Sequence, residues 1–451
     1  MGSFLGLAAC VLSLFGQGAQ EDSTRPNLVI MMTDDQRHDA LSCAGNTILK
    51  TPNLDRLAAE GVRFQNAFVT NALCAPSRAT LLTGLYSHAN GVMDNKTRVI
   101  TPGIPLLSER LQAAGYEVAF CGKSHIQGAL RDRKWDYYFG YREQGVYHNP
   151  LIAEGTDGKD IRYPGYMDDI VTDHAVAWLK KKRSKPFCLF LFFKAPHRSW
   201  QRAERHKDLF KNIEIPKPAT WDDDRKLKPK AFADADNVIG NFKDVPSLDQ
   251  FLKDYYATIV AVDENVGKVY DTLKGLGSLD RTAILFTADN GFFAGEWKAF
   301  DKRLMHEPSI RVPMLLRYPP LAKKGTLEKA MALNLDIHPT MLEIAGEKVP
   351  QGLHGKSLVP LLRGQRAGWR QDWLYEYFEF PGPHSVKKNR GVRGERYKFI
   401  HYFEEPQEYE LYDLEKDPLE RTNLAYLPEF ALLRAKLAQR LLQLRQETGD
   451  K

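Results

Sequence analysis

Four short apolar runs stand out along the chain, and each leads straight into polar residues able to do chemistry. Residues 28–32 lead into Thr33-Asp34-Asp35, and residues 117–120 into Gly122-Lys123-Ser124-His125. Residues 187–193 lead into Ala195-Pro196-His197, and residues 283–286 into Asp289-Asn290-Gly291. Runs that are apolar at every position, not at alternate ones, suit strands covered on both faces. Helical patterns lie between them. Thr51 caps a helix that Pro52 opens, Leu54, Leu57 and Ala58 give it an apolar stripe, and Gly61 ends it. A second helix is predicted over residues 108–114. A third spans 254–276, with Ile259, Val262, Val266, Val269 and Leu273 at helical spacing. Strands alternating with helices predict an α/β fold, a large and mainly parallel sheet sandwiched by helices. In such sheets the ligand site lies at the carboxyl edge of the strands. Asp34, Asp35, Lys123, His125, His197, Asp289 and Asn290 are therefore expected to converge.

The texture changes after residue 366. Residues 373–378, 397–402 and 411–414 read as half-exposed antiparallel strands, and 429–447 as an amphipathic helix. The division expected is 24–366 for the large α/β domain and 367–451 for a smaller C-terminal α+β subdomain. Residues 199–250 are polar with scattered prolines and read as a long surface insertion. The run Lys180-Lys181-Lys182-Arg183 reads as a solvated helix end.

At 451 residues the chain is long enough for a large core, and 43% hydrophobic with 27% charged residues is ordinary for a soluble protein. The net charge of +6 suits anionic ligands, but no basic stripe or motif accompanies it, so nucleic acid is not an expected partner. Residues 4–15 are apolar and uncharged and small residues follow, as in a secretory signal, so 1–19 is taken as a signal peptide. No basic residue precedes that run. Leu7-Ala8-Ala9-Cys10 also spells a lipobox, which leaves a lipid anchor at Cys10 as a lesser alternative to a secreted or periplasmic form. No other segment could cross a membrane. Cys43, Cys121 and Cys188 lack metal-ligand spacing and read as small buried hydrophobes.

Cys74-Ala75-Pro76-Ser77-Arg78 opens a helix-forming stretch closed by Gly84. The cysteine thus sits at a helix N-terminus, where free N–H groups favour anions, with Arg78 one turn on. A cysteine phosphatase needs five residues between Cys and Arg, and here there are three. A cysteine protease, or a structural cysteine before a helix, stays open on the residues alone.

The same pentapeptide resembles the C-x-P-S-R signature of the sulfatase family, whose cysteine is oxidised to formylglycine. The resemblance runs in order over residues 25–365. It takes in Pro26-Asn27-Leu28-Val29 to Asp34-Asp35, Gly122-Lys123-Ser124-His125, Ala195-Pro196-His197, Asp289-Asn290-Gly291 with Lys302, and Arg311-Val312-Pro313. Leu85 stands where the family often has Arg, and Ser124 where a large aromatic is common. The resemblance implies an alkaline-phosphatase-like fold and a sulfuric ester hydrolase. It implies a formylglycine at position 74, installed by a formylglycine-generating enzyme, and a metal held by Asp34, Asp35, Asp289, Asn290 and residue 74. All-oxygen side chains favour Ca2+ over Mg2+. Hydrated formylglycine carries two hydroxyls, one to attack sulfur and one to expel sulfate as the aldehyde re-forms. Arg78, Lys123 and Lys302 would balance the oxyanion. His125 would handle the proton of the position-74 hydroxyl, and His197 would protonate the leaving alcohol or bind sulfate.

Asp301-Lys302-Arg303 and residues 376–384 further resemble glycan sulfatases of the N-acetylglucosamine-6-sulfatase and mucin-desulfating type. This implies a sulfated saccharide substrate with a 6-O-sulfated amino sugar, and Tyr377, His384 and Arg390 as candidates to meet it. Two rival readings are a phosphomonoester or phosphonate hydrolase on the same scaffold, and a sulfated-glycan binding protein without turnover.

Overall fold

The structure, a computed structural model, describes residues 25–97, 99–126, 130–241 and 247–450. The expected signal peptide and Cys10 lie outside the described residues. In chain order, the elements that build the site are β1 (Asn27–Thr33), α1 (Pro52–Glu60), α2 (Cys74–Thr83), β2 (Glu117–Lys123), β3 (Tyr137–Tyr141), α3 (Met167–Leu179), β4 (Phe187–Phe192), α4 (Leu248–Gly275), β5 (Thr282–Ala288) and β6 (Met314–Arg317).

A ten-stranded sheet runs through the molecule, and its middle is β5-β1-β4-β2-β3, all parallel. β6 pairs antiparallel with β5, and shorter strands extend both edges, so the sheet is mixed at its margins. The register aligns the carboxyl ends: Met32 sits opposite both Phe192 and Thr287, and Gly122 sits opposite Phe192. The polar residues that follow these strands leave the sheet at one edge for that reason.

The continuous apolar runs have a direct cause. Leu28, Ile30 and Met32 of β1 face one core, which holds Ala75, Ala79 and Leu82 of α2. Val29 and Met31 face the other, with Leu54 and Leu57 of α1 and Val262, Val266 and Val269 of α4. Every side chain of β1 is thus buried, and truncating a buried leucine in such a strand costs about 2–5 kcal/mol. Gly122 marks where β2 turns into the site. Its φ is +113°, and a Cβ there would lie 1.9 Å from the Phe192 carbonyl oxygen, so only glycine lets β2 approach β4 this closely.

The C-terminal part forms a four-stranded antiparallel sheet in the order β7 (Asp372–Tyr377), β8 (Asn389–Gly394), β9 (Tyr397–Tyr402), β10 (Glu408–Asp413), crossed by helix α5 (Ala431–Thr448). β8 contains two glycines and two arginines and has no apolar alternation to betray it.

Four expectations need correction. Residues 199–250 are not only surface: Trp200, Phe210 and Ile215 are buried with Phe251 and Phe292 in a core of their own, and Phe232 joins the main core. α4 starts at Leu248, not 254, because Ser247 caps it by accepting from the Gln250 N–H. Lys180, Lys181 and Lys182 are exposed as expected, but Arg183 folds back onto the Trp178 ring and pairs with Glu117. Cys121 and Cys188 are buried, whereas Cys43 is only half-buried.

Candidate active site

β1 delivers Asp34 and Asp35 to the carboxyl edge, and β5 delivers Asp289 and Asn290 beside them. Two hydrogen bonds weld the strand ends: Asp289 N–H donates to the Thr33 carbonyl at 3.0 Å, and Asp35 N–H to the Asp289 side chain at Oδ1, 3.1 Å. α2 points its first residue into this acidic floor. Cys74 Sγ lies 3.4 Å from Asp34 Oδ1 and 3.0 Å from Lys302 Nζ. Arg78, on the next turn and wholly buried, donates through Nε to Asp289 Oδ2 at 2.9 Å and through a terminal nitrogen to the Lys123 carbonyl at 2.6 Å. Lys123 pairs with Asp34, and Lys302 with Asp35.

The electrostatics follow from burial. Burial pushes the Asp34 carboxyl up, but Lys123, His197, Arg78 and Lys302 outweigh it and hold the group well below the usual range. Asp35 goes the other way, to about 7, because burial is joined by the charges of Asp34 and Asp289 while Lys302 alone opposes it strongly. Burial and Asp34 likewise raise Asp289. The Cys74 thiol is pushed far up by burial and by Asp34, so a thiolate nucleophile, the premise of a cysteine hydrolase, is disfavoured here.

These residues fit a bound cation. Asp34, Asp35, Cys74 and His197 each offer one ligand atom, all within 4.8 Å of one another. Asn290 Nδ2 donates to Asp35 Oδ1 at 2.7 Å, which leaves Asn290 Oδ1 buried with no hydrogen-bond partner, an acceptor in want of a cation. Asp289 is tied to Arg78 and the Asp35 N–H, yet keeps to the same floor.

Two histidines complete the edge. His197 Nδ1 faces the Arg198 carbonyl oxygen at 2.6 Å and therefore donates, while Nε2 stands 3.7 Å from Asp35 Oδ2. Burial first, then Lys123 and Lys302, hold its pKa well below the usual value against the pull of Asp34. His125, at φ 50°, lines the same cleft. Asp35, Asp301 and Arg303 also hold left-handed φ values, of 69°, 78° and 86°, a clustering of backbone strain typical of working sites.

The cleft is about 320 Å³, with Asp35, Cys74, His125, His197 and Lys302 at its base. One wall holds Asp301, Arg303, Glu379 and His384. His384 Nε2 lies 3.2 Å from Asp301 Oδ2, and Arg303 Nε donates to Glu379 Oε2 at 3.2 Å. Glu379 also takes the Asn95 N–H, and Asn95 Oδ1 takes the Ala75 N–H at the start of α2, so the wall is braced against the Cys74 helix.

Of the three residues expected to meet a sugar, only His384 reaches the cleft. Tyr377 is fully buried and its hydroxyl donates to the Glu379 carbonyl, and Arg390 turns away to Asp450 and the rings of Phe378 and Phe403. Both sit on subdomain strands whose aromatic alternation reflects packing, not exposure. Gln144 and Asn95 line the cleft without having been anticipated, and Glu379 joins them from the 376–384 stretch. Gln144 follows β3 as the other site residues follow their strands, but the Tyr-Gly texture of β3 hid it.

The general sulfatase family model matches residues 26–347, and a model described as N-sulphoglucosamine sulphohydrolase, C-terminal, matches residues 295–447. An N-acetylglucosamine-6-O-sulfatase of Bacteroides thetaiotaomicron is 36% identical, over 98% of this chain and 90% of that protein. A solved sulfated-saccharide complex, described as bound to its substrate D-glucosamine-2-N,6-O-disulfate, superposes with a TM-score of 0.88 at 36% identity, covering 95% of this chain and 99% of the other. The phosphonate monoester hydrolase of Agrobacterium radiobacter matches with a TM-score of 0.77 at 25% identity, over 94% and 96% of the two chains.

Proposed function

This chain belongs to the sulfatase family, and from that premise we propose that it removes the 6-O-sulfate from N-acetylglucosamine-type units of sulfated glycans, with a formylglycine made from Cys74 and a bound Ca2+. The observation that carries the reading is the placement of residue 74. Its side-chain atom stands between Asp34 and Lys302, at the buried start of a helix and at the base of the cleft. The similarity to the N-acetylglucosamine-6-O-sulfatase supports the choice of sugar.

The chain's own groups divide the work. Arg78, Lys123 and Lys302 set three positive charges against Asp34, Asp35 and Asp289, so the site is balanced until a divalent ion adds the excess that an anionic ester needs. Ca2+, when bound by Asp34, Asp35, Asp289 and Asn290, supplies the polarisation that acidifies a position-74 hydroxyl and draws charge off sulfate. Residue 74 takes the sulfuryl group through oxygen. His197, with its Nε2 inside the site, meets the oxygen of the departing alcohol, and His125 takes the proton of the position-74 hydroxyl. Asp301, Arg303 and His384 offer fixed donors and acceptors to sugar hydroxyls. The chemistry belongs to residues 24–366, and residues 367–451 add Glu379 and His384 to the sugar-facing wall.

The apolar leader at residues 1–19 exports the enzyme to where sulfated glycans occur. Among the described residues no helix is long and apolar enough to cross a membrane.

The test is production with a formylglycine-generating enzyme, peptide mass analysis at position 74, and turnover of N-acetylglucosamine-6-sulfate beside aryl phosphate and phosphonate esters. Conversion of the thiol to the aldehyde with desulfation as the leading activity is expected. An intact thiol in active enzyme, or faster phosphonate than sulfate turnover, refutes the reading.

A further inference from the structure

The turn that carries His197 is gripped from outside. It runs from Lys194 to His197 and is closed by the His197 N–H, which donates to the Lys194 carbonyl at 3.1 Å. The ladder between β1 and β4 continues into it: Phe193 N–H donates to the Met32 carbonyl at 2.8 Å, and Asp34 N–H to the Ala195 carbonyl at 3.1 Å. The first two N–H groups of the turn go elsewhere, and both go to one carboxylate. Asp168 Oδ1 accepts from Lys194 N–H at 2.8 Å, and Oδ2 from Ala195 N–H at 3.1 Å.

Asp168 is the second residue of α3 and is fully buried. Its charge suits a helix N-terminus, but both of its oxygens are spent on the turn. Among the described residues no cation pairs with it, so two peptide N–H groups hold a buried charge. Accepting from both requires the ionised form. Burial pushes the carboxyl up to about 6, against those two bonds and the charge of Lys194, which leaves it ionised at neutral pH. A second tie runs beside the first. The Tyr147 hydroxyl donates to the His197 carbonyl at 2.5 Å, and the Tyr147 carbonyl takes the N–H of Met167, the first residue of α3, at 2.7 Å.

We propose that Asp168 is a positioning residue of the reaction: through the Lys194 and Ala195 N–H groups it sets the turn that places His197 at the base of the cleft. The consequence for rate rests on the sulfate-ester reading above, in which His197 meets the leaving oxygen. Asparagine at this position has the same size but only one acceptor oxygen. Its NH2 group faces the second N–H, so half of the grip becomes donor against donor. Asp34 keeps its own ladder bond to Ala195, and the acidic floor, joined by the ends of β1 and β5, is spared.

The experiment is a double-mutant cycle on matured, calcium-loaded enzyme: wild type, Asp168→Asn, His197→Gln and the double variant. Each is assayed for kcat and KM on N-acetylglucosamine-6-sulfate, and for calcium affinity by calorimetry after chelator treatment. Asp168→Asn is expected to lower kcat about 10-fold with KM nearly unchanged. Once residue 197 is glutamine, the same change is expected to cost less than about 2-fold, because the partner it acts through is gone. Calcium affinity should stay within about 3-fold of wild type. Equal fold losses in the two backgrounds overturn the proposal, as do wild-type kcat in Asp168→Asn and a calcium affinity that falls together with kcat. Should wild type prefer another ester, the sulfate reading fails by itself and the cycle is run on that ester. If the asparagine variant does not fold, Asp168→Ser, which leaves space for water at the two N–H groups, takes its place in the cycle.

Discussion

Calcium affinity is expected to fall steeply below neutral pH, because the ion needs an ionised Asp35. In the cation-free protein that carboxyl is pushed up to about 7, first by burial and then by Asp34 and Asp289, against Lys302. The three carboxylates share the proton, so the value describes the cluster as much as one residue. At pH 5, two units lower, only about 1% of sites are ionised, which weakens binding about 100-fold, or about 3 kcal/mol. The same shift acts on folding with a definite sign. An unfolded aspartate releases its proton near pH 4, whereas the native one keeps it to about 7. Between these limits native Asp35 binds the extra proton, so its own contribution to the stability of the cation-free protein falls as pH rises, by up to about 4 kcal/mol. Bound calcium holds the carboxylate ionised throughout and removes that decline. Calorimetric titration of chelator-stripped protein with calcium chloride at pH 5, 6, 7 and 8 measures the first effect, and thermal unfolding with and without calcium the second. Affinity should rise with pH and level off above 7, and the gain in Tm from calcium should grow in step. Affinity flat across this range refutes the reasoning, as does an Asp35→Asn variant that binds calcium like wild type.

Three further outcomes are expected. Arg78→Met leaves Asp289 and the Lys123 carbonyl buried without their shared partner and should cost about 3–5 kcal/mol in urea unfolding; a loss below about 1 kcal/mol contradicts the role given to the guanidinium. His197→Gln should lower kcat on a sugar sulfate by about 100-fold or more but spare an aryl sulfate, whose leaving group needs no proton; equal losses on both would show that His197 does not protonate the alcohol. His88 sets Nδ1 against Glu376 at 2.6 Å and Nε2 against the Thr448 carbonyl at 3.0 Å, and Glu376 with its neighbours raises its pKa despite burial. A raised folded value means that this clamp on the end of α5 is complete below the ordinary histidine pKa and is lost as pH rises through the folded one. Hydrogen exchange over residues 431–448, corrected for intrinsic rate, should therefore speed up from pH 6 to pH 8 in wild type but not in His88→Gln.

The parts of the site that could be read in the sequence share a physical reason. A strand buried on both faces must be apolar throughout, so its end is abrupt, and in a parallel sheet all such ends fall on one edge. β1, β4 and β5 obey this, and Asp34, His197, Asp289 and Asn290 follow from it. β3 obeys the same geometry but is written in tyrosine and glycine, so Gln144 passed for loop. The apolar pattern alone starts α4 six residues late because its opening polar turn resembles the insertion before it. Tyr377 and Arg390 misled in the opposite direction. Alternating aromatics on β7 and charges on β8 look like a recognition surface, yet one face of that sheet packs on the large domain and α5 covers the other.

What no pattern could convey is how the charges of the site are matched. Asp34 and Asp35 are adjacent in sequence and equally buried, yet their carboxyls are driven to opposite sides of their ordinary value. The difference lies in partners brought from far along the chain. Asp34 faces Lys123, Arg78 and His197 together, whereas Asp35 faces Lys302 and the two other carboxylates. Burying three carboxylates with three cations leaves a floor that is neutral but not relaxed: Asp35 holds its proton to about 7 and Asn290 Oδ1 has no partner. Both tensions end if a divalent ion occupies the space between them. An ion bound there would stabilise the fold by relieving a strain that the active site itself created, so removing it should be felt first at the ends of β1 and β5 and not in the core behind them.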